Sequence, residues 1–222
     1  MTAIIETHNL TKVYRTDSVA TPALRGVDLS IGPGEFVAIM GPSGCGKSTL
    51  LHLVGLLATP TEGTVRIDGQ DTAALGDGGR TRLRRQHIGF VFQRFNLLPT
   101  LSAEANVALA LRLRGRRPGD RPREMLAEVG LDAKRTRRPH QLSVGEQQRV
   151  AVARALVTRP TVVLADEPTG NLDSEASGLV MDLIGRLHRQ RGQAVVLISH
   201  DRHVADRADR LLRMRDGRFL DS

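Results

Sequence analysis

The stretch Gly41-Pro42-Ser43-Gly44-Cys45-Gly46-Lys47-Ser48 constrains this 222-residue chain more than any other. A β-type apolar run, residues 35–40, leads into it, and residues 49–54, beginning with Thr49, leave it as a helical pattern. Strand, glycine-rich turn and helix is the context a phosphate-binding loop requires. Glycines let the backbone curl so that successive N–H groups point inward and form a nest for phosphate oxygens. The helix that follows aims its positive end at the same point. Lys47 can reach the terminal phosphates, and the Ser48 hydroxyl can coordinate Mg²⁺. The expected ligands are therefore a nucleotide and Mg²⁺.

Composition bounds the rest. The length suits one α/β domain with an inserted subdomain, and 40% hydrophobic residues can build its core. The single cysteine, Cys45, leaves no internal disulfide and fits a reducing compartment. No secretory pattern opens the chain, and no apolar run approaches the length of a membrane span. A membrane role then requires a partner. The net charge of +8 raises the question of nucleic acid, but the charge is almost all arginine, scattered along the chain as well as clustered at Arg112–Arg123 and Arg135–Arg138, and only 3% of residues are aromatic. Composition argues against nucleic acid and leaves solvated arginine-rich faces or a nearby anionic membrane surface.

In chain order, Ile5, Leu10, Val13, Leu24, Val27, Leu29 and Ile31 predict strands joined by a polar loop over residues 15–22. Tyr14 supplies either a flat ring for an adenine base or an ordinary strand aromatic. A turn at residues 59–63 precedes a strand over 64–69, and Asp77-Gly78-Gly79 reads as loop. Residues 88–92 form another strand, with Gln93 at its carboxyl end, where open α/β sheets place ligand-binding groups. From residue 94 to 159 strand signals vanish and helices dominate, at 102–114, 121–130 and 144–158. Ser143-Val144-Gly145-Glu146 opens the last with a capping-box pattern, and a helix N-terminus carrying a serine hydroxyl is a second place for phosphate. The buried strand at 161–167 ends in two carboxylates, which need cationic or water partners. Asp166 suits the metal, and Glu167, taken to face the other way on the pleat, suits activation of a water. Residues 171–174 turn into a helix over 175–190. A strand at 194–198 ends in Ser199-His200-Asp201, placing His200 where it could meet the terminal phosphate. The tail reads as a hairpin around Asp216-Gly217.

Taken together, these motifs resemble the ATP-binding subunits of ABC transporters over nearly the whole chain. The resemblance makes residues 41–48 the Walker A loop, Tyr14 the adenine-stacking residue, and Gln93 the Q-loop glutamine able to join the Mg²⁺ shell. Leu142-Ser143-Val144-Gly145-Glu146-Gln147-Gln148-Arg149 matches the signature motif, with Val144 in place of the usual glycine. Asp166 and Glu167 match Walker B and the catalytic glutamate, Asn171-Leu172-Asp173 the D-loop, and His200 the switch histidine. The implied fold is α/β: a P-loop NTPase core with a mainly parallel sheet, an antiparallel β subdomain and an inserted α-helical subdomain. Residues 1–222 would form one such domain, with 1–93 and 160–222 as core and 94–159 as the helical part.

The resemblance also implies an ATPase that pairs head to tail with a second ATP-binding subunit, so that Ser143 and Gly145 of one cover the γ-phosphate held by the other. Phe92-Gln93-Arg94-Phe95-Asn96-Leu97-Leu98-Pro99-Thr100 narrows the likeness to the MacB/LolD type. That type works at the inner face of the cell membrane with an integral permease, here FtsX/MacB-like, in macrolide or peptide export or lipoprotein release. Two alternatives stand beside it: an FtsE-like regulatory ATPase that moves a membrane partner without transport, and a soluble nucleic-acid ATPase of the same family.

Overall fold

Alternation of apolar side chains along the central strands decides the layering of the molecule. A computed structural model describes residues 2–16 and 19–220. The amino-terminal part runs β1 (Ile5–Thr16), β2 (Val19–Ile31), β3 (Phe36–Met40), α1 (Lys47–Val54), β4 (Glu62–Ile67), β5 (Gln70–Asp71), α2 (Asp77–His87) and β6 (Ile88–Phe92). Helices α3 (Ala103–Leu113), α4 (Arg121–Glu128) and α5 (Val144–Leu156) follow. The chain closes with β7 (Val162–Asp166), α6 (Ser174–Arg191), β8 (Ala194–Ile198), α7 (Arg202–Ala205), β9 (Arg210–Arg215) and β10 (Arg218–Phe219).

The central sheet has the order β10-β9-β3-β8-β7-β6, parallel except for the terminal β9–β10 pair. A separate antiparallel sheet has the order β2-β1-β4-β5. In β7, Val162 and Leu164 enter one core with α1 and the antiparallel sheet, while Val163 and Ala165 enter a second core under α3, α5 and α6. β8 divides the same way, Val196 and Ile198 against Val195 and Leu197. A period of two in an all-apolar strand therefore feeds both faces of a covered sheet.

Register sets what this scaffold can display. Ile39 pairs with Ile198, Ile198 with Asp166, and Asp166 with Phe92. The carboxyl ends of β3, β8, β7 and β6 thus lie level along one edge, the edge where open parallel sheets hold ligands.

Three sequence expectations need correction. Asp77-Gly78-Gly79 is not loop but the first turn of α2. Two glycines cost about 1 kcal/mol each in a helix, but Asp77 at the positive end and Arg84, Arg85 and His87 at the negative end favour it. Buried Leu83 anchors its inner face. The polar loop expected over 15–22 is shorter, because β1 extends to Thr16 and β2 begins at Val19; Asp17 and Ser18 lie outside the described residues. Glu167 does not follow the pleat at all. Strand β7 stops at Asp166, and Glu167 takes a left-handed backbone with φ 43°. Its N–H donates to the Ile198 carbonyl at 3.0 Å and its carbonyl accepts from the Gly170 N–H at 3.0 Å. A backbone reversal, rather than strand alternation, aims its side chain. The tail forms the expected hairpin, with Asp216 and Gly217 both at positive φ, as a tight turn between strands requires; residues 221–222 lie outside the described residues.

Candidate active site

The glycine-rich loop is held from both sides by backbone. Gly46 has φ 105°, and a Cβ there would lie 2.4 Å from the Ala23 carbonyl oxygen of β2. A Cβ on Gly41 would lie 2.1 Å from the Met214 carbonyl oxygen of β9. Only glycine fits either place. The Gly217 N–H donates to the Cys45 carbonyl at 3.0 Å, so the turn of the carboxyl-terminal hairpin pins the loop as well. Cys45 contributes backbone to the loop while its thiol is buried in the core beneath. Pro42, Ser43, Gly44 and Ser48 remain exposed along the loop, and Thr49 is half-buried at the start of α1. Lys47 is only 6% exposed. Its ammonium donates to the carbonyls of Gly41 at 2.8 Å and Pro42 at 2.9 Å, which places a charge across the mouth of the curl.

Two residues 118 positions apart meet beside Lys47: the Ser48 hydroxyl donates to Asp166 Oδ1 at 3.1 Å. Burial pushes the Asp166 carboxyl above its ordinary range, against the opposing effect of the Ser48 hydrogen bond; Glu167 adds to the rise. The next carboxylate, Glu167, lies 3.4 Å from His200 Nδ1. The Glu167 side chain is 26% exposed and that of His200 67%, and the two share a cavity of about 370 Å³ with Ser199 and Asp201. The structure therefore gathers Lys47, Ser48, Asp166, Glu167 and His200 at one sheet edge.

The other sequence candidates are placed apart from these. The Gln93 side chain packs against Gly170, where an added Cβ would sit 2.7 Å from Nε2, and among the described residues it makes no hydrogen bond with Ser48 or Asp166. Tyr14 lies on β1, 43% exposed, with the Lys12 ammonium 5.1 Å from its ring centroid. It pairs with Thr21 of β2, two residues from the Ala23 carbonyl that abuts Gly46. Ser143 and Glu146 form the capping box: Ser143 Oγ accepts from the Glu146 N–H at 3.2 Å, and Glu146 Oε2 accepts from the Ser143 N–H at 2.9 Å. The Lys134 side chain bonded to Glu146 holds that carboxyl below its ordinary range. Val144 is exposed, so its branched side chain points out of the helix without meeting the capping groups. Ser143 and Gly145 line a cavity of about 430 Å³ with Asn171 and Asp173. Among the described residues, no hydrogen bond or ion pair joins residues 143–149 to residues 41–49.

Sequence reasoning gave no bracing role to two residues that tie these parts together, both on α5: Gln148, named only as part of the signature match, and Arg154, not singled out at all. Gln148 is fully buried; its Nε2 donates to the Pro168 carbonyl at 2.6 Å and the Phe92 carbonyl at 3.4 Å. It thereby braces the segment after Glu167 against the segment before Gln93. Arg154 donates to the carbonyls of Phe95, at 2.7 Å, and Asn96. Those two residues have left-handed backbones, φ 56° and 51°, and the guanidinium fixes their bend. A signal was present: Gln148 shares the helix face of Val152 and Ala155, both buried, by spacings of four and seven. A polar residue on a buried face needs partners. Gln148→Leu keeps the volume but strands two carbonyls, and should lower stability by about 1–3 kcal/mol, read as a shifted urea midpoint with an unchanged slope.

A phosphate loop at the carboxyl edge of a parallel sheet, with a serine–aspartate pair and a second carboxylate beside it, defines a P-loop nucleoside-triphosphatase. Residues 24–170 match the family model described as ABC transporter, and the chain belongs to that family. It is 49% identical over 99% of its length to the lipoprotein-releasing system ATP-binding protein LolD of Anaeromyxobacter dehalogenans, spanning 93% of that protein. It is 46% identical over 96% of its length to the macrolide export ATP-binding/permease protein MacB of Syntrophobacter fumaroxidans, but spans only 31% of that longer protein. Among solved structures, the dimeric post-hydrolysis state of the ATP-binding cassette MJ0796 bound to ADP and Pi superposes with a TM-score of 0.91 at 43% identity, covering 98% of this chain and 97% of that one. The dimeric MJ0796 bacterial ABC transporter cassette gives 0.91 at 44% identity, with the same coverage. The fold is that of an ABC ATPase, and the chain is an ATP-binding ATPase of this family. No helix among the described residues is long and apolar enough to cross a membrane.

Proposed function

We propose that this chain is the ATPase subunit of a transporter of the lipoprotein-release or macrolide-export kind, driving a separate FtsX/MacB-like integral permease from the inner face of the cell membrane. The names of its relatives support this reading over an FtsE-like regulatory role. The observation that carries the mechanism is the separation within one chain of the signature serine from the phosphate loop. Ser143 caps its own helix and lines a cavity with Asn171 and Asp173, with no hydrogen bond to residues 41–49 among the described residues. A helix N-terminus with free surface attracts phosphate, and the phosphate it serves is that of a second copy. Two subunits then enclose two ATP molecules head to tail, in keeping with the dimeric cassettes this chain resembles.

In this reading residues 41–49 cradle the ATP phosphates, Lys47 faces the β- and γ-phosphates, and the Tyr14 ring takes the adenine. Ser48 and Asp166 are hard oxygen donors 3.1 Å apart, the chemistry Mg²⁺ selects, and the carboxyl is partly shielded from water. They would hold the ion, with Gln93 turning in from the end of β6. When bound, Mg²⁺ neutralises phosphate charge. Glu167 accepts the proton of the attacking water, and His200, 3.4 Å away, orients that carboxylate and meets the γ-phosphate. Residues 1–222 act as one ATPase unit, and 94–159 form a helical part that carries Ser143, Gly145 and Glu146 to the partner.

The test of the assignment is reconstitution with a candidate permease in lipid vesicles, with transport and ATP hydrolysis measured together. Coupled substrate movement supports export. Permease-stimulated hydrolysis with no substrate moved would replace it by the regulatory role. The composite site has its own test. Ser143→Arg should bind ATP as the parent does, since its own loop is intact, yet lose hydrolysis; normal turnover in this variant would end the head-to-tail model.

A further inference from the structure

We propose that an arginine-lined cleft remote from the nucleotide loop, where the ends of α2, α3 and α5 meet, binds phosphate-bearing polyanions such as acidic-lipid headgroups. The cleft encloses about 700 Å³ and is lined by Arg82, Arg85, Arg114, Arg116 and Arg159, with no carboxylate in its lining. Among the described residues none of these five guanidinium groups forms an ion pair. The chain's other arginines include many that do, such as Arg80 with Asp77 and Arg191 with Glu128. Two of the five are built into the wall. Arg85 donates to the Leu113 carbonyl at 2.6 Å, and Arg114 Nη1 donates to the Thr158 carbonyl at 2.7 Å. The other terminal nitrogen of Arg114, Nη2, is buried and has no hydrogen-bond partner among the described residues.

That combination is costly for the protein alone. A buried N–H without an acceptor loses its hydration for nothing in return. Burial and the charge of Arg116 both push the Arg114 guanidinium below its ordinary pKa, although an arginine keeps its proton. Like charges held together without counter-charge repel. A polyanion relieves the repulsion among the five charges, and phosphate oxygens match the exposed guanidinium forks of Arg82 and Arg116 in bidentate fashion. Carboxylates of a peptide arrive one per side chain, whereas a phosphate group concentrates charge as this cleft does. The neighbouring apolar cavity shares Arg85, Leu113 and Arg114 with the cleft and is walled by Phe90, Phe92 and Leu109. Charge beside an apolar wall is the profile of a lipid headgroup over its acyl chains. The inference stands on this cleft alone and does not need the permease assignment.

The experiment uses the full chain carrying Lys47→Ala, so that phosphate at the nucleotide loop does not confuse the reading. Flotation with phosphatidylcholine vesicles, with and without cardiolipin, is measured for this chain, for the same chain with Arg82→Gln and Arg116→Gln added, and for a control with Arg66→Gln and Arg189→Gln instead. All four arginines are exposed, and both pairs remove the same charge. The cleft pair should lose about 30-fold in cardiolipin binding at physiological salt, and the control pair less than about threefold, since neither Arg66 nor Arg189 lines the cleft. Equal losses in the two would mean a general charge effect and overturn the proposal, as would vesicle binding that neither pair weakens, or no binding of either cardiolipin vesicles or inositol hexakisphosphate. Soluble inositol hexakisphosphate is the second arm. If it binds saturably, depends on the cleft pair and displaces the vesicles, the site takes phosphate from lipid or solution alike. If it binds this way and the vesicles do not, the site is one for free polyphosphates, and the proposal holds with that source. Binding of polyglutamate in preference to both probes would assign the cleft to an acidic protein segment and overturn it.

Discussion

Glu167→Gln should lower ATP turnover by about 10²–10⁴-fold, the usual loss when a general base is removed, while leaving ATP binding intact. Glutamine keeps the size of the side chain in the cavity it shares with His200, so the geometry beside the phosphate loop survives. What it lacks is the capacity to take a proton from the attacking water. The change also removes a negative charge close to Asp166, whose own carboxyl already feels that charge. Fewer negative groups near bound phosphates favour closure of two subunits around two ATP molecules. Steady-state phosphate release should fall, and size exclusion in saturating ATP should show a monomer-to-dimer shift that is weak or absent in the parent. Asp166→Asn should behave differently and weaken the dependence on Mg²⁺ itself. Should Glu167→Gln turn over like the parent, the base lies elsewhere, and His200 with a substrate-assisted route becomes the next assignment.

Lys47→Ala should weaken ATP binding by about ten- to more than a hundredfold, since charged hydrogen bonds contribute about 1.5–3 kcal/mol each. The structure adds a second consequence. Lys47 bridges the carbonyls of Gly41 and Pro42 across the curl of the loop, and truncation leaves both without that donor. The variant should therefore melt at a lower temperature even without nucleotide, whereas a residue that only touched ATP would change affinity alone. Calorimetric titration with Mg-ATP reads the first effect and a thermal scan the second. Unchanged Mg-ATP affinity would remove the phosphate-loop assignment at its root.

Much of the site was legible in the sequence because its chemistry is local. The nest proposed for phosphate needs small residues at fixed offsets, and Gly41, Gly44 and Gly46 mark its tight curl within a few residues. The capping box at Ser143 and Glu146 is equally local, a hydroxyl and a carboxylate three residues apart bonding each other's backbone. Apolar runs ending in Asp166-Glu167 and Ser199-His200 mark the carboxyl ends of buried strands, and the ABC ATPase fold that the family resemblance implied is the fold observed.

The tertiary structure decided what meets what. Nothing near Ser48 in sequence specifies Asp166 as its partner. Their contact follows from the order β3-β8-β7 and the pairings Ile39–Ile198 and Ile198–Asp166, which depend on two cores filling on opposite sides of the sheet. The aim of Glu167 depends on a left-handed turn that its own residue type does not favour and that the Ile198 and Gly170 hydrogen bonds hold in place. Helix α2 forms through two glycines because Leu83 finds a core to enter and the flanking charges suit its dipole. The support that Gly217 gives to Cys45 spans most of the chain. Local patterns encode backbone conformation and burial, which are properties of a few neighbouring residues. Register and long-range partners are properties of the whole packing, and they appear only once the cores have closed.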